Sequence, residues 1–284
     1  NISHGTGGAL GLGVLIGAWI VYDLIWQSKL ALEKNAIALT ASLALACGAA
    51  YVLCHYLSGR AAFIHLGAMF GTIMVVNVWM RILPSQQKMI DATKEGRKPD
   101  YTLSAKAKRR SVHNSYMTFP VLFMMISNHY ANVTSGPNNW IHLLLLVVLG
   151  IAVRHVALSK TMQGRWAAGI ASVISLGVLV TMTAPPSQAA NVGAAAVSFA
   201  EVRKIFDTRC VACHSPTPTI TELGAVPAGT FFATPQQIAA FADKIRLRVI
   251  ETKTMPPLNK TEMTDEERNL LARWIAGGAR VDGM

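Results

Sequence analysis

Charge is what this sequence has least of. Aspartate, glutamate, lysine and arginine make up 14% of its 284 residues, against 52% hydrophobic residues. With a positive mean hydropathy as well, the chain is too apolar for a single water-soluble domain, and its length accommodates a membrane domain plus a small globular one. Acidic residues are the scarcer sign, 15 against 26 basic, and the net charge of +11 raises nucleic acid as a partner. Its distribution argues against one. Residues 191–284 hold eleven Lys/Arg and ten Asp/Glu, so the excess falls on the apolar first part, where basic loops report topology. Cysteines number four. Cys47 and Cys54 lie on one face of an apolar stretch and read as small packing residues. The chain opens on Asn1 rather than methionine, and a preceding N-terminal segment with further spans is expected.

What is present in quantity is membrane-length apolar sequence. A bilayer core of about 30 Å takes roughly 20 apolar residues as a helix. Six stretches meet or approach this, at approximately 8–27, 36–57, 61–83, 113–131, 139–158 and 167–184. The connection 84–112 stands out as polar and strongly basic. With that loop cytoplasmic, fourteen of the fifteen Lys/Arg of the membrane part lie on or next to the cytoplasmic side, Arg60 being the exception. Alternation then sends the chain beyond Ala184 to the periplasmic side of a bacterial inner membrane. The expected fold is all-α: a transmembrane helix bundle over 1–184, a small-residue linker over 185–197, and a small class I-like cytochrome c domain over 198–284.

The last of these rests on Cys210-Val211-Ala212-Cys213-His214. C-x-x-C-H is the pattern of c-type haem attachment: two thiols three positions apart reach the two vinyl groups, and the adjacent imidazole reaches the iron. No second C-x-x-C pair exists to complete a zinc site, and no βαβ setting supports a thioredoxin-like motif. Met255, ahead of Pro256 and Pro257, is the expected sixth ligand, with Met263 the alternative. His/Met ligation raises the haem potential and makes an electron acceptor. Ser198 with Glu201, Thr234 with Gln237 and Thr264 with Glu267 each fit a capping box opening a helix. Ile238, Phe241, Ile245 and Val249 form one apolar stripe; Leu270, Leu271, Trp274 and Ile275 form another, closed by Gly277 and Gly278.

Seven of the eight histidines lie in the membrane part. His55, His65, His129 and His142 fall near the outer ends of spans, with His4 at the outer mouth of the first. They read either as interfacial polar residues or as ligands of a second redox centre, such as a haem b or a metal. Toward the cytoplasmic side lie Asp23, Asn77, Arg81, His113, Asn114, Tyr116, Arg154 and His155. Ionisable groups inside spans mark a functional site or a mutual ion pair. Within "RRSVHNSYMTFP", His113, Asn114, Ser115 and Tyr116 form a turn of donors at a helix entrance, with Pro120 a kink. His113, Asn114, Tyr116 and Arg81 are the catalytic candidates.

The stretch "AKRRSVHNSYMTFPVLFMMISNHY", the linker, "CVACH" and "MPP", in that order, resemble the bacterial membrane-bound urate hydroxylases fused to a cytochrome c, also called cytochrome-c-type urate oxidases. The resemblance covers essentially the whole chain. It implies oxidation of urate to 5-hydroxyisourate with water as oxygen source, electrons passing to haem c. From there they would reach a respiratory acceptor such as a soluble cytochrome c or a terminal oxidase. It assigns no catalytic residue. A urate site needs donors for an anionic, carbonyl-rich ring, an apolar or aromatic face, and a base for water. The cytoplasmic group meets these needs better, whereas electron transfer to a periplasmic haem favours the outer histidines. The competing function is a membrane-anchored electron carrier without a substrate. A transporter or haem-based sensor is disfavoured by the lack of any broken-helix repeat.

Overall fold

The computed structural model describes residues 4–29, 31, 34–127, 129–136, 138–184, 197–221 and 230–281. The linker read over 185–197, except for its last residue, lies outside the described residues, as does the side chain of His4. Among the described residues the chain is all-helical, without strands. It divides into two compact units, Asn1–Thr183 and Ala184–Met284.

In the first unit, α1 (His4–Gln27) and α2 (Asn35–Tyr56) are followed by α3 (Gly59–Asn77), which continues through a wide π-helical turn, Val78–Ile82, into α4 (Leu83–Lys94). Then come α5 (Tyr101–Ser127), a short α6 (Ala131–Thr134), α7 (Asn139–Leu158) and α8 (Met162–Thr183). Pro84 explains the wide turn: it has no N–H for the carbonyl four residues back, and its ring crowds that turn, so the helix widens just before it.

Five of these helical stretches are long and apolar enough to cross a membrane: Gly5–Gln27, Asn35–Tyr56, Gly59–Lys94, Asn139–Leu158 and Met162–Thr183. The sixth stretch expected, 113–131, differs. Its helix α5 begins at Tyr101, ends at Ser127 and carries Lys106, Lys108, Arg109 and Arg110 as well as His113 and Asn114. It packs along α3 and α7, and its Arg110, His113 and Asn114 meet protein partners. The expected loop 84–112 is likewise largely helix, formed by α4, a turn at Gly96 (φ 70°) and the first turns of α5.

The bundle core gathers Leu53 from α2, Phe63, Leu66 and Met69 from α3, Met124 from α5 and Leu143 from α7. By contrast, α8 leaves Trp166, Ile170, Val173 and Ile174 exposed, a surface suited to lipid. Where α5 meets α7, Gly150 receives the Pro120 ring. A Cβ there would stand 2.5 Å from both the ring and the Pro120 backbone nitrogen.

The second unit comprises α9 (Phe199–Arg209), α10 (Pro235–Ala240), α11 (Ala242–Ile245), a π-helical turn Arg246–Glu251, a short 3-10 turn Pro257–Asn259 and α12 (Asp265–Ala276). Both partners of each expected capping box make their hydrogen bonds, at Ser198/Glu201, Thr234/Gln237 and Thr264/Glu267. The middle apolar stripe is carried on pieces rather than on one helix, because the chain leaves helical geometry at Phe241 and widens at Arg246. Ile238, Ile245 and Val249 nevertheless share one core with Phe206, Phe232, Leu271 and Trp274. Gly278, at φ 94°, turns the chain back so that Ala279 N–H reaches the Trp274 carbonyl at 3.0 Å.

Gly150→Ala is expected to lower the stability of the membrane unit by about 1–3 kcal/mol, since the neighbouring atom is backbone and cannot rotate away. The thermal unfolding midpoint in detergent measures it. An unchanged midpoint would show that α5 and α7 do not meet closely at this point.

Candidate functional site

The first unit's polar side chains converge on Asp23. Burial of this carboxylate on α1 is matched by three donors. Arg81 approaches it with Nε and Nη2 at 3.0 and 2.5 Å, Arg110 with Nη2 at 2.8 Å, and Gln27 with Nε2 at 2.5 Å. Two guanidinium groups thus share one carboxylate. From Arg110 the network runs inward: Nη1 donates to Asn77 Oδ1 at 3.3 Å, Asn77 Nδ2 donates to Asn114 Oδ1 and to the Tyr22 hydroxyl, and Asn114 Nδ2 donates to the Met74 carbonyl.

The ends of this chain fix its direction. A guanidinium only donates and a carbonyl only accepts, so both amide orientations follow. The Tyr22 oxygen therefore accepts from Asn77, and its own hydrogen is left for His113 Nδ1, 2.8 Å away. In the neutral ring the proton of His113 then sits on Nε2, making that nitrogen a donor.

His113, Asn114, Ser115 and Tyr116 do not form one turn of donors at a helix entrance, because α5 begins twelve residues earlier. Successive helical residues are about 100° apart, and each meets a different neighbour. His113 meets Tyr22 and Trp26 of α1, and Asn114 meets α3. Ser115 accepts from Arg154 at 2.5 Å, and the Tyr116 hydroxyl lies 2.6 Å from His155 Nδ1, both on α7.

Two of the four catalytic candidates share a cavity of about 420 Å³. His113 and Tyr116 line it together with Tyr22, Trp26 and His155, against apolar walls that include Leu39, Leu43, Met69, Phe70 and Ile151. Asn114 lies behind its wall. Arg81 faces a second, smaller pocket on the other side of Trp26. Sequence reasoning missed Tyr22, Trp26 and Arg110. The signal available was the i, i+4 spacing of Tyr22 and Trp26 beside Asp23, which puts two polar-tipped aromatics on one face at the end of α1.

The outer histidines each have their own neighbours. His65 Nδ1 contacts the Ala61 carbonyl at 2.7 Å, and its ring fills the space that Gly11 leaves on α1, 2.5 Å from where a Cβ would stand. His142 is buried, with Nδ1 2.9 Å from the Val133 carbonyl. His55 is exposed and stacks on Tyr51, and His129 is exposed. Among the described residues no three His, Cys, Asp or Glu side chains converge on a metal-sized site.

In the second unit, Cys210 caps α9. The Cys213 and His214 N–H groups both reach back to its carbonyl, at 3.1 and 2.9 Å. His214 Nδ1 lies 2.9 Å from the Thr230 carbonyl, which can only accept, so the proton is on Nδ1 and the lone pair on Nε2. Phe232 packs against the His214 ring. Cys210 and Met255 border the same apolar core, whereas Met263 is inside it as a packing residue. Burial, with Cys213 and Glu267 nearby, pushes the Cys210 thiol up to about 12, far from a reactive thiolate. The segment carrying Met255 is braced by Arg268, whose Nη1 donates to the Met255 carbonyl at 3.0 Å and to that of Val249.

Asp23→Asn is expected to destabilise the first unit by about 3–5 kcal/mol, because buried Arg110 loses its carboxylate. Thermal unfolding in detergent tests this, and an effect within 0.5 kcal/mol, the usual size at an ordinary surface site, would remove Asp23 from the centre of the network.

No curated protein and no solved structure matches the chain. Residues 1–184, the part that contains the Asp23 network and the cavity, match the family described as urate oxidase N-terminal. That span is well over half of the 284 residues, and the chain belongs to the urate oxidase N-terminal family.

Proposed function

We propose that this protein is a membrane-bound oxidoreductase that oxidises urate to 5-hydroxyisourate in the cavity between α1, α2, α3, α5 and α7. Electrons would leave through a haem c in the second unit toward a respiratory acceptor. The reaction adds water to urate and releases two electrons and two protons. The observation that carries the reading is the coincidence of the family match with a cavity of the right character. Its volume of about 420 Å³ falls in the range of small-molecule sites, roughly 300–1,000 Å³.

Each wall has a use. Trp26 and Phe70 give the cavity aromatic lining suited to a flat purine. His113, its Nε2 carrying the proton, donates to a urate carbonyl. Tyr116 and His155 form a hydroxyl–imidazole pair at 2.6 Å, suited to taking the proton of the attacking water: the Tyr116 oxygen receives it as its own hydrogen passes to His155 Nδ1. Behind Tyr22, two guanidinium groups against one carboxylate leave a positive balance that favours an anionic ligand. Asn114 and Asn77 hold Tyr22 and hence His113; their part is positioning.

The residues of the second unit fit a haem c. Cys210 and Cys213 would carry the two thioethers, His214 would present the lone pair of Nε2, and Met255 would supply a thioether sulfur from a braced segment bordering the same core. Such a group accepts one electron at a time at a raised potential. Haem c is attached outside the cytoplasm, and the basic bias of the first unit's loops supports a periplasmic second unit.

Anaerobic urate is expected to reduce the haem of the purified, oxidised protein, read as growth of the c-type absorption band. A haem reduced by ascorbate but not by urate would pass the assignment to an electron carrier. Tyr116→Phe and His113→Ala are each expected to lower the rate of urate-driven reduction by about 10²–10⁴-fold, leaving haem content and ascorbate reduction unchanged. Full activity in both variants would move the substrate out of this cavity.

A further inference from the structure

Trp26 separates the cavity from a second pocket of about 240 Å³, and the two differ in chemistry. Arg81, Lys88, Lys106, Arg109 and Arg110 line the second pocket, and among its described lining residues there is no carboxylate. Asp23, behind it, offsets part of the charge through Arg81 and Arg110, and Arg109 donates to the Ala31 carbonyl at 2.6 Å. Neither contact occupies Lys88 or Lys106. We propose that this pocket binds the phosphate headgroup of an anionic phospholipid.

Its surroundings favour a lipid over a soluble anion. The pocket lies where α1, the π-helical turn, α4 and α5 meet, on the side that the excess of basic residues marks as cytoplasmic. Basic pockets between helices at that level suit anionic headgroups. Met80 belongs to the lining and is itself half exposed. Trp79 and Leu83, its neighbours along the helix, are exposed too. The phosphate thus has cations while the acyl chains have an apolar surface beginning at the same pocket.

A passage for urate into the cavity is less well supported. The partition is closed: Trp26 is 6% exposed, its Nε1 is tied to Ser42 Oγ at 2.8 Å, and its ring is packed by His113. The lipid reading does not depend on what the cavity binds.

The test is native mass spectrometry of the full-length protein, purified in detergent and titrated with phosphatidylglycerol or with neutral phosphatidylcholine. One phosphatidylglycerol is expected to be retained in preference to phosphatidylcholine and to survive millimolar inorganic phosphate. Each basic residue near a membrane surface contributes about 1 kcal/mol, close to fivefold, so Lys88→Gln with Lys106→Gln should weaken retention about 25-fold. Lys88→Arg with Lys106→Arg should restore it. Equal retention by the wild type and the Gln variant, or no preference for the anionic lipid, overturns the proposal. Displacement by inorganic phosphate would reassign the pocket to a soluble anion. A raised KM for urate in the Gln variant with lipid retention unchanged would reassign it to substrate entry.

Discussion

Asp23 is one carboxylate held between two guanidinium groups inside a helical bundle, and much of the first unit's polar architecture is arranged around that fact. A lone charge there would be costly, and so would a lone arginine. Sharing relieves both costs and joins α1 to the wide turn after α3 and to α5. From Arg110 the donors are ordered in one direction through Asn77 to Tyr22 and His113, so an ion pair fixes which nitrogen of a histidine carries the proton. The same logic explains a helix too polar to be read as an ordinary span. Arg110, Asn114 and Ser115 of α5 find partners on neighbouring helices rather than in lipid.

The second unit uses a simpler device to the same end. The Thr230 carbonyl takes the Nδ1 proton of His214 and leaves Nε2 as a lone-pair donor. Arg268 braces the Met255 segment through backbone carbonyls. In both units a histidine's proton is placed by a hydrogen-bond chain that ends on groups with only one sense, a guanidinium and a carbonyl in the first and a carbonyl in the second. That is what permits protonation states to be argued from geometry.

The local features were legible because they depend on neighbours in sequence. The three capping boxes are four-residue patterns, and their hydrogen bonds form at the expected positions. Apolar helices long enough to cross a membrane follow from composition alone. The extent of α5 was not legible, because hydropathy treats its lysines, His113 and Asn114 as the end of a span, whereas the helix runs on past its apolar part with Lys106 and Lys108 exposed and Ala107 and Arg110 buried. The continuous middle helix expected in the second unit failed at Phe241 for a related reason: an apolar stripe records which side chains are buried, not whether one helix carries them.

By itself the sequence determined the all-helical character, the basic excess of the membrane part, the C-x-x-C-H motif and the polar residues available to a site. Only the tertiary structure decided how those residues combine. Four adjacent candidates on α5 point to different neighbours because a helix turns by about 100° per residue. Tyr22, Trp26 and His155 join His113 and Tyr116 around one cavity although they come from three helices far apart in the chain. A pattern of spacing specifies a face of a helix. Which face meets which is set by packing, where a missing Cβ at Gly150 or a shared carboxylate at Asp23 counts for as much as any motif.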